Sequence, residues 1–184
     1  MILQTNRLII REYVEGDLWD FHRLLTNRQA MALMPEIKSD SVDDTIKTLF
    51  ESIQESKLIH RSKYFFAIEH MTTGKYIGEI GYLVLFDTEE GKVVNLGYFI
   101  SPEFWGQGYM FEAATAVVDN MFKEQNVLKV EAGCLSDNLA SIGIMKKLGM
   151  TQESYMVKHM YHNGKLHDRV DYRLLKSEWE QRSE

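Results

Sequence analysis

Between Asn95 and Ala113 the chain reads Asn-Leu-Gly-Tyr-Phe-Ile-Ser-Pro-Glu-Phe-Trp-Gly-Gln-Gly-Tyr-Met-Phe-Glu-Ala. An apolar strand pattern runs to Ser101 and Pro102, a turn carries Gly106 and Gly108, and a helical pattern follows at once. Phe111, Ala114, Val118, Met121 and Phe122 recur on one face of that helix. Glycines at a strand-to-helix turn sit where backbone N–H groups lack acceptors and the helix dipole is positive. They also remove the Cβ that would hold an anion away from the backbone. The chemistry open to such a turn is to seat a phosphate or pyrophosphate. A tight connection without a ligand satisfies the same spacing, so the turn alone leaves both readings open.

Other side chains could do acid–base chemistry. Glu79 lies in Ile77-Gly-Glu-Ile-Gly81, a carboxylate inside an otherwise apolar strand. Burial there would raise its pKa toward a range useful to a general base, although alternation equally allows it to face solvent. Asn138 precedes an apolar helical segment from about Leu139 to Leu148 and is placed to cap it. The single cysteine, Cys134, lies in the apolar strand pattern Leu128–Cys134 and reads as a buried, inert thiol.

Taken together, these segments resemble the GNAT N-acetyltransferases, and most closely their ribosomal-protein (RimJ/RimL-like) branch. Trp105-Gly-Gln-Gly-Tyr-Met-Phe-Glu-Ala is similar to the coenzyme A loop of that branch. Two positions depart from the superfamily pattern: Trp105 replaces Arg or Gln, and Met110 replaces a small residue. Ser136-Asp-Asn-Leu-Ala-Ser-Ile-Gly-Ile-Met-Lys-Lys-Leu-Gly-Met150 resembles the family's Asn-x-x-Ser-x-x-x-x-x-Lys-x-Gly-Phe segment. Thr5-Asn-Arg-Leu-Ile-Ile-Arg11 matches the usual first strand, and Asn163 to Trp179 matches the closing hairpin. The matches run in order along nearly the whole chain.

The elements that must position these groups follow from periodicity. A strand is expected over Arg7–Tyr13, then helices from about Asp17 to Asn27 and through Val42, Ile46, Leu49, Phe50 and Ile53. Ser41 with Asp44 reads as an N-cap, which gives the Asp40, Asp43, Asp44 cluster a capping role. Strands follow at Tyr64–Glu69 and Tyr76–Phe86, and another ends at Ser101. After the long helix come a strand at 128–134, the Leu139–Leu148 helix and strands near 154–161 and 168–175 around Asn163-Gly164. The order β-α-α-β-β-β-α-β-α-β-β defines an α/β fold. The resemblance makes it a GNAT-type mixed, mostly antiparallel sheet with a splayed strand pair and flanking helices.

What the resemblance implies for chemistry is specific. The amides of Gly106, Gln107, Gly108, Tyr109 and Met110 would take the pyrophosphate of acetyl-CoA, the co-substrate. Phe99, Ile100 and Ser101 would offer backbone groups to pantetheine, one of them polarising the thioester carbonyl, and Asn138 would contact pantetheine. Many superfamily members use a tyrosine to protonate the leaving thiolate; Met145 occupies that position. Ser141 matches the serine of the RimL-like branch and is expected to serve as thiolate donor and cofactor contact. Asn95 stands where the branch often has a glutamate, which removes one candidate base; Glu79, in its apolar strand, is the base the residues offer, with His159 and a water chain near Tyr98 behind it. Glu112 is expected to be structural at the helix–loop junction.

The acceptor would be a primary amine, in direct transfer without a covalent intermediate. A protein N-terminus is favoured, with polyamines, amino sugars and amino acids as alternatives. An α-amino group near pKa 7.8 costs about 1 kcal/mol to deprotonate at pH 7, a lysine near 10.4 about 4.6 kcal/mol. A reading of another class is a non-catalytic acyl-CoA-binding module. The 184 residues suit one domain spanning 1–184, and 45% hydrophobic with 26% charged content is ordinary for a soluble protein. A formal net charge of −6 argues against nucleic acid as partner. No transmembrane-length run and no signal pattern are visible, so no membrane partner and a cytoplasmic location are expected. No metal is implied, and a homodimer is left open.

Overall fold

A computed structural model describes residues 2–34, 37, 39 and 41–181. Its centre is an eight-stranded sheet in the order β1-β2-β3-β4-β5-β6-β8-β7. The strands are β1 (Ile2–Gln4), β2 (Leu8–Glu12), β3 (Lys63–His70), β4 (Tyr76–Asp87), β5 (Lys92–Ile100), β6 (Val127–Leu135), β7 (Thr151–His162) and β8 (Lys165–Leu175). Every neighbouring pair is antiparallel except β5 and β6, which run parallel. The helices are α1 (Leu18–Leu25), α2 (Val42–Glu55), α3 (Tyr109–Glu124), α4 (Leu139–Lys147) and a short α5 (Lys176–Glu180).

Alternation along the strands divides the core between two faces. On β3, Phe66 and Ile68 join one cluster while Ala67 joins the other. The larger cluster packs α3 onto the sheet through Met110, Ala113, Ala114, Val117, Val118, Met121 and Phe122. The smaller one places α1 against Tyr13, Ala67 and Phe99 through Phe21, Leu24 and Leu25. Burying an apolar side chain of this size stabilises by about 1.5–3 kcal/mol, so α3 is anchored along its whole length.

The predicted order of elements is found, with edges moved by a few residues. β1 and α5 were not anticipated; both are too short for periodicity to register. The helix α2 starts where the cap predicts, with Ser41 Oγ accepting from the Asp44 N–H at 3.1 Å; Asp40 lies outside the described residues. Its buried stripe differs from the apolar pattern, however. Thr45, Leu49 and Ser52 are buried, while Ile46 and Phe50 are exposed. The reason is polar: the Thr45 hydroxyl is hydrogen-bonded to His22 Nδ1 at 2.7 Å and to Ser39 Oγ at 2.7 Å. These bonds turn that face toward α1. Among the described residues no helix is long and apolar enough to cross a membrane.

Candidate active site

The site begins where two strands part. β5 pairs with β6 only from Lys92 to Asn95, Asn95 standing opposite Glu131. Beyond that fork β6 continues on β8, and β5 continues on β4 as far as Ile100. The facing edges of β5 and β6 are therefore unpaired. Ser101 donates its N–H to Ile77 O at 2.9 Å and accepts from the Phe104 N–H at 2.9 Å, so both its backbone groups are spent. Strand alternation then turns Phe99 toward β4 and aims the N–H and C=O of Tyr98 and Ile100 into the gap. The backbone groups of the expected trio are thus divided: those of Phe99 and Ser101 turn to β4, those of Ile100, with Tyr98, face the gap, and Phe99 and Ile100 both line the cavity beside it. The Ile100 carbonyl also accepts from the Trp105 indole at 2.9 Å, which folds the loop back over the strand end.

The loop itself is held for anion binding. Gly106 and Gly108 have φ of 71° and 81°, the left-handed region that favours glycine. Among the described residues, no acceptor lies within reach of the N–H groups from Gly106 to Phe111; the first helical bond is from Glu112 N–H to Gly108 O at 3.0 Å. The Gln107 side chain braces the turn by donating to Glu103 O at 2.9 Å. Tyr109 and Met110 bury their side chains in the core. The bulk of Met110 is therefore directed inward, while its amide stays with the loop.

Arg7 is a part of this site that periodicity did not reveal. Its guanidinium donates to Gln107 O at 3.0 Å and to Glu112 Oε2 at 2.6 Å, and lies 4.3 Å from the centre of the Tyr109 ring. Glu112 Oε1 also accepts from the Thr5 hydroxyl at 2.6 Å and the Arg7 N–H at 3.0 Å. Burial pushes the Glu112 pKa up, but the bonds from Thr5 and Arg7 outweigh it and the net direction is down. Glu112 thus has the structural role expected of it. It ties the turn before β2 to the start of α3.

A cavity of about 570 Å³ extends from this loop along the gap. One wall carries Tyr98, Asn138, Ser141 and Lys147; the other carries Gln29, Ala30, Ala32, Leu33 and Met34. Asn138 Oδ1 accepts the Ser141 N–H at 3.1 Å, the cap that starts α4 and aims Ser141. Ser141 Oγ is 3.1 Å from Tyr98 Oη, which also donates to the Ser141 carbonyl at 3.2 Å. Burial raises the Tyr98 pKa against the opposing Ser141 hydrogen bond. Met145 is fully buried, so the hydroxyls on this wall come from Ser141 and Tyr98. Lys147 falls on the lysine of the segment pattern given above, which marks it in the sequence. Cys134 is half-buried, and burial raises its pKa despite a bond from Ser141. The β7–β8 turn reaches the opposite wall, where His162 Nε2 is 2.8 Å and Asn163 Nδ2 3.3 Å from Ala32 O.

Glu79 is set apart from this wall. It lies opposite Phe99 in register, 8% exposed, on the face packed by α1. Its Oε2 accepts from the Tyr13 hydroxyl at 2.6 Å; among the described residues Oε1 has no hydrogen bond. Burial raises its pKa to about 7, with the Tyr13 bond pulling the other way. His159 is exposed and lies off the cavity wall. No group of His, Cys, Asp and Glu among the described residues could hold a metal.

If Arg7 holds the loop as described, Arg7→Ala removes charge-assisted bonds of about 1.5–3 kcal/mol, discounted because the guanidinium is half exposed. A loss of about 1 kcal/mol corresponds to roughly 2–4 °C in Tm for a chain of this size. Thermal unfolding should show that drop, and an unchanged Tm would remove the brace.

Comparison with known proteins gives this geometry a family. The acetyltransferase (GNAT) domain family matches residues 7–151. The chain is 28% identical over 182 residues to the uncharacterized N-acetyltransferase YnaD of Bacillus subtilis, covering 97% of this chain and 99% of that one. It is 27% identical over 118 residues to the [Ribosomal protein uS5]-alanine N-acetyltransferase of Escherichia coli, 55% of this chain and 61% of that protein. Among solved structures, a GNAT-family acetyltransferase from Bacillus anthracis superposes with a TM-score of 0.81 at 25% identity, covering 96% and 99% of the two chains. The spermidine N-acetyltransferase of Vibrio cholerae, in complex with CoA and spermine, shares the fold with a TM-score of 0.81 at 20% identity over 95% and 99%. The family match over residues 7–151, on a sheet that splays at the expected strands, shows that the chain belongs to the GNAT acetyltransferases, acetyl-CoA-dependent acyltransferases.

Proposed function

We propose that this protein transfers acetyl from acetyl-CoA directly to a protein N-terminal amine. The observation that carries the reading is the fork. Backbone groups of Tyr98 and Ile100 that no strand takes up run straight into the free N–H groups of Gly106 to Phe111, and both lie along one cavity. An extended amide-bearing chain ending in a pyrophosphate matches that sequence of donors and acceptors. Lys147 adds a cation on the same wall.

Leaving-group chemistry falls to Ser141 and Tyr98. Tyr98 Oη has one proton and Ser141 Oγ another, and the two oxygens are in contact. Ser141 can donate a hydrogen bond to the developing thiolate and Tyr98 holds Ser141 in place, so that the thiolate is stabilised while both hydroxyls keep their protons.

The preference for an N-terminal amine rests on two observations. The Gln29 to Met34 wall carries no carboxylate among its described residues, and Asp137, on the Asn138 side, is the one carboxylate among the described residues that line the cavity. Glu79, at about 7, is also matched to its substrate. Taking a proton from an α-ammonium near 7.8 costs about 1 kcal/mol, and from a lysine-like ammonium near 10.4 about 4–5 kcal/mol. The relative that acetylates a ribosomal-protein alanine agrees with this preference.

The direct test is acetyl-CoA consumption with N-terminal peptides and with spermidine. Peptides should be the better acceptors; a higher kcat/KM for spermidine would overturn the choice. Acetyl-CoA should raise Tm by mass action, and Gly108→Glu should abolish that shift by placing a carboxylate and a Cβ in the loop. Binding without turnover of any amine would leave only an acyl-CoA-binding module.

Ser141→Ala should lower kcat by about ten- to a thousandfold with a smaller effect on acetyl-CoA affinity. A loss confined to affinity would make Ser141 a cofactor contact alone. For Glu79 the sign follows from its raised pKa: the base form is populated above about pH 7 and lost below it. With a peptide acceptor, Glu79→Gln should depress kcat/KM most near neutral pH. The deficit should shrink above the α-amine pKa, where the amine arrives neutral. An unchanged profile would remove Glu79 from the mechanism.

A further inference from the structure

A buried base must lose its proton before the next turnover, and Glu79 is enclosed by Tyr13, Phe21, Ala67 and Phe99. We propose that Tyr13 and Tyr76 carry the Glu79 proton away from the acceptor site to a second cavity on the same face of the sheet. The proposal rests on Glu79 acting as base and extends that reading to the route its proton takes.

Geometry supplies the route. Tyr13 Oη lies 2.6 Å from Glu79 Oε2 and 3.0 Å from Tyr76 Oη. Tyr13 has a single hydroxyl proton. Since that proton goes to the carboxylate, the bond to Tyr76 is donated by Tyr76. Tyr76 in turn forms part of the wall of a cavity of about 270 Å³, together with Asp20, Arg23, Ser101 and Glu103. Two hydroxyls thus connect the carboxylate to this second cavity, and Phe99, which stands opposite Glu79 in register, lines the main cavity. The Tyr13 ring is buried in the sheet–α1 interface and the Tyr76 ring is partly buried against it, which holds the chain in line.

The step balances without any other reactant. With Glu79 ionised, both hydroxyl protons point toward it. Once Glu79 has taken the amine proton, its carboxyl O–H turns to Tyr13 Oη and breaks as a new O–H forms there. Tyr13 gives its own proton to Tyr76, and Tyr76 releases its own to water or to the Glu103 carboxylate in the cavity. Each tyrosine gains one proton and loses one, so neither needs to ionise, and burial holds both pKa values high in any case. The charged groups facing this chain are few. Asp17 and Asp20 act on Tyr76 from the α1 side, Asp17 being bound by Arg11 at 2.8 Å and Asp20 by Arg23 at 2.9 Å.

A purely structural role for the tyrosines predicts different kinetics from a relay. Tyr76→Phe keeps the ring and removes the connection. Under multiple turnover with saturating acetyl-CoA and peptide, it should lower kcat by roughly tenfold and enlarge the solvent deuterium isotope effect. It should leave the acid limb near the wild-type pH, because Tyr76 does not touch Glu79. Tyr13→Phe should lower kcat as well, and in addition move the acid limb to higher pH, since the Tyr13 bond is what holds the Glu79 pKa down. Tyr76→Ala, which joins the second cavity to Tyr13, should regain rate on addition of imidazole as a mobile proton carrier. Wild-type kcat and isotope effect in Tyr76→Phe, alongside a rate loss in Glu79→Gln, would overturn the relay and leave the base in place. An unaffected Glu79→Gln enzyme would overturn the base and the relay together.

Discussion

A backbone N–H or C=O taken out of water must find a partner, and that constraint organises this molecule. Where β5 leaves β6 after Asn95, two strands inside a continuous sheet stop bonding to each other. The cost is not hidden by side chains, because α3 covers one face and the α1 cluster covers the other, with the gap between them. Such an edge is stable when exposed to water and becomes more so when an extended ligand replaces that water. The parallel pairing of β5 and β6 contributes to the geometry. A parallel pair needs a crossover, here the loop and α3, so the connection that closes the fold also places a helix N-terminus at the mouth of the gap.

From this the two halves of the site follow. The loop can spare its N–H groups because Arg7, Glu112, Thr5 and Gln107 supply other bonds that hold its shape. Those braces come from the turn before β2, from the helix and from the loop itself, and they fix the loop's shape without a ligand. The acid–base groups are distributed instead by strand alternation. Tyr98 faces the cavity and meets Ser141, while Phe99, its neighbour, faces α1 and stands beside Glu79. The proposed donor and the proposed base thereby stand on opposite sides of one strand. A general acid for a thiolate and a base for an amine are wanted on opposite sides of the reacting carbonyl.

Much of this was legible in the residues. Strand and helix order, the Gly106–Gly108 turn and the Ser41 and Asn138 caps all rest on local signals, and local signals survive folding. What was not legible depends on contacts between distant segments. Arg7 is a hundred residues from the Gln107 carbonyl it supports, and nothing in Arg7-Leu-Ile-Ile marks it apart from any strand-leading arginine. The buried stripe of α2 was misjudged because Thr45 is satisfied by His22 and Ser39, partners that only tertiary packing brings near. How the backbone groups of Phe99, Ile100 and Ser101 divide was not legible for a simpler reason. Backbone groups point alternately to the two neighbours of a strand, and only the register with β4 decides which residues face the gap.

The claim on which the account stands is that acetyl-CoA completes the unpaired edge of β5. Amide hydrogen exchange with residue resolution, with and without acetyl-CoA, measures this directly. The Tyr98 and Ile100 amides should exchange rapidly in the free protein and become protected on binding. Those of Phe99 and Ser101, already bonded to β4, should be protected in both states. Tyr98 and Ile100 amides whose exchange is unchanged by saturating acetyl-CoA would contradict the account.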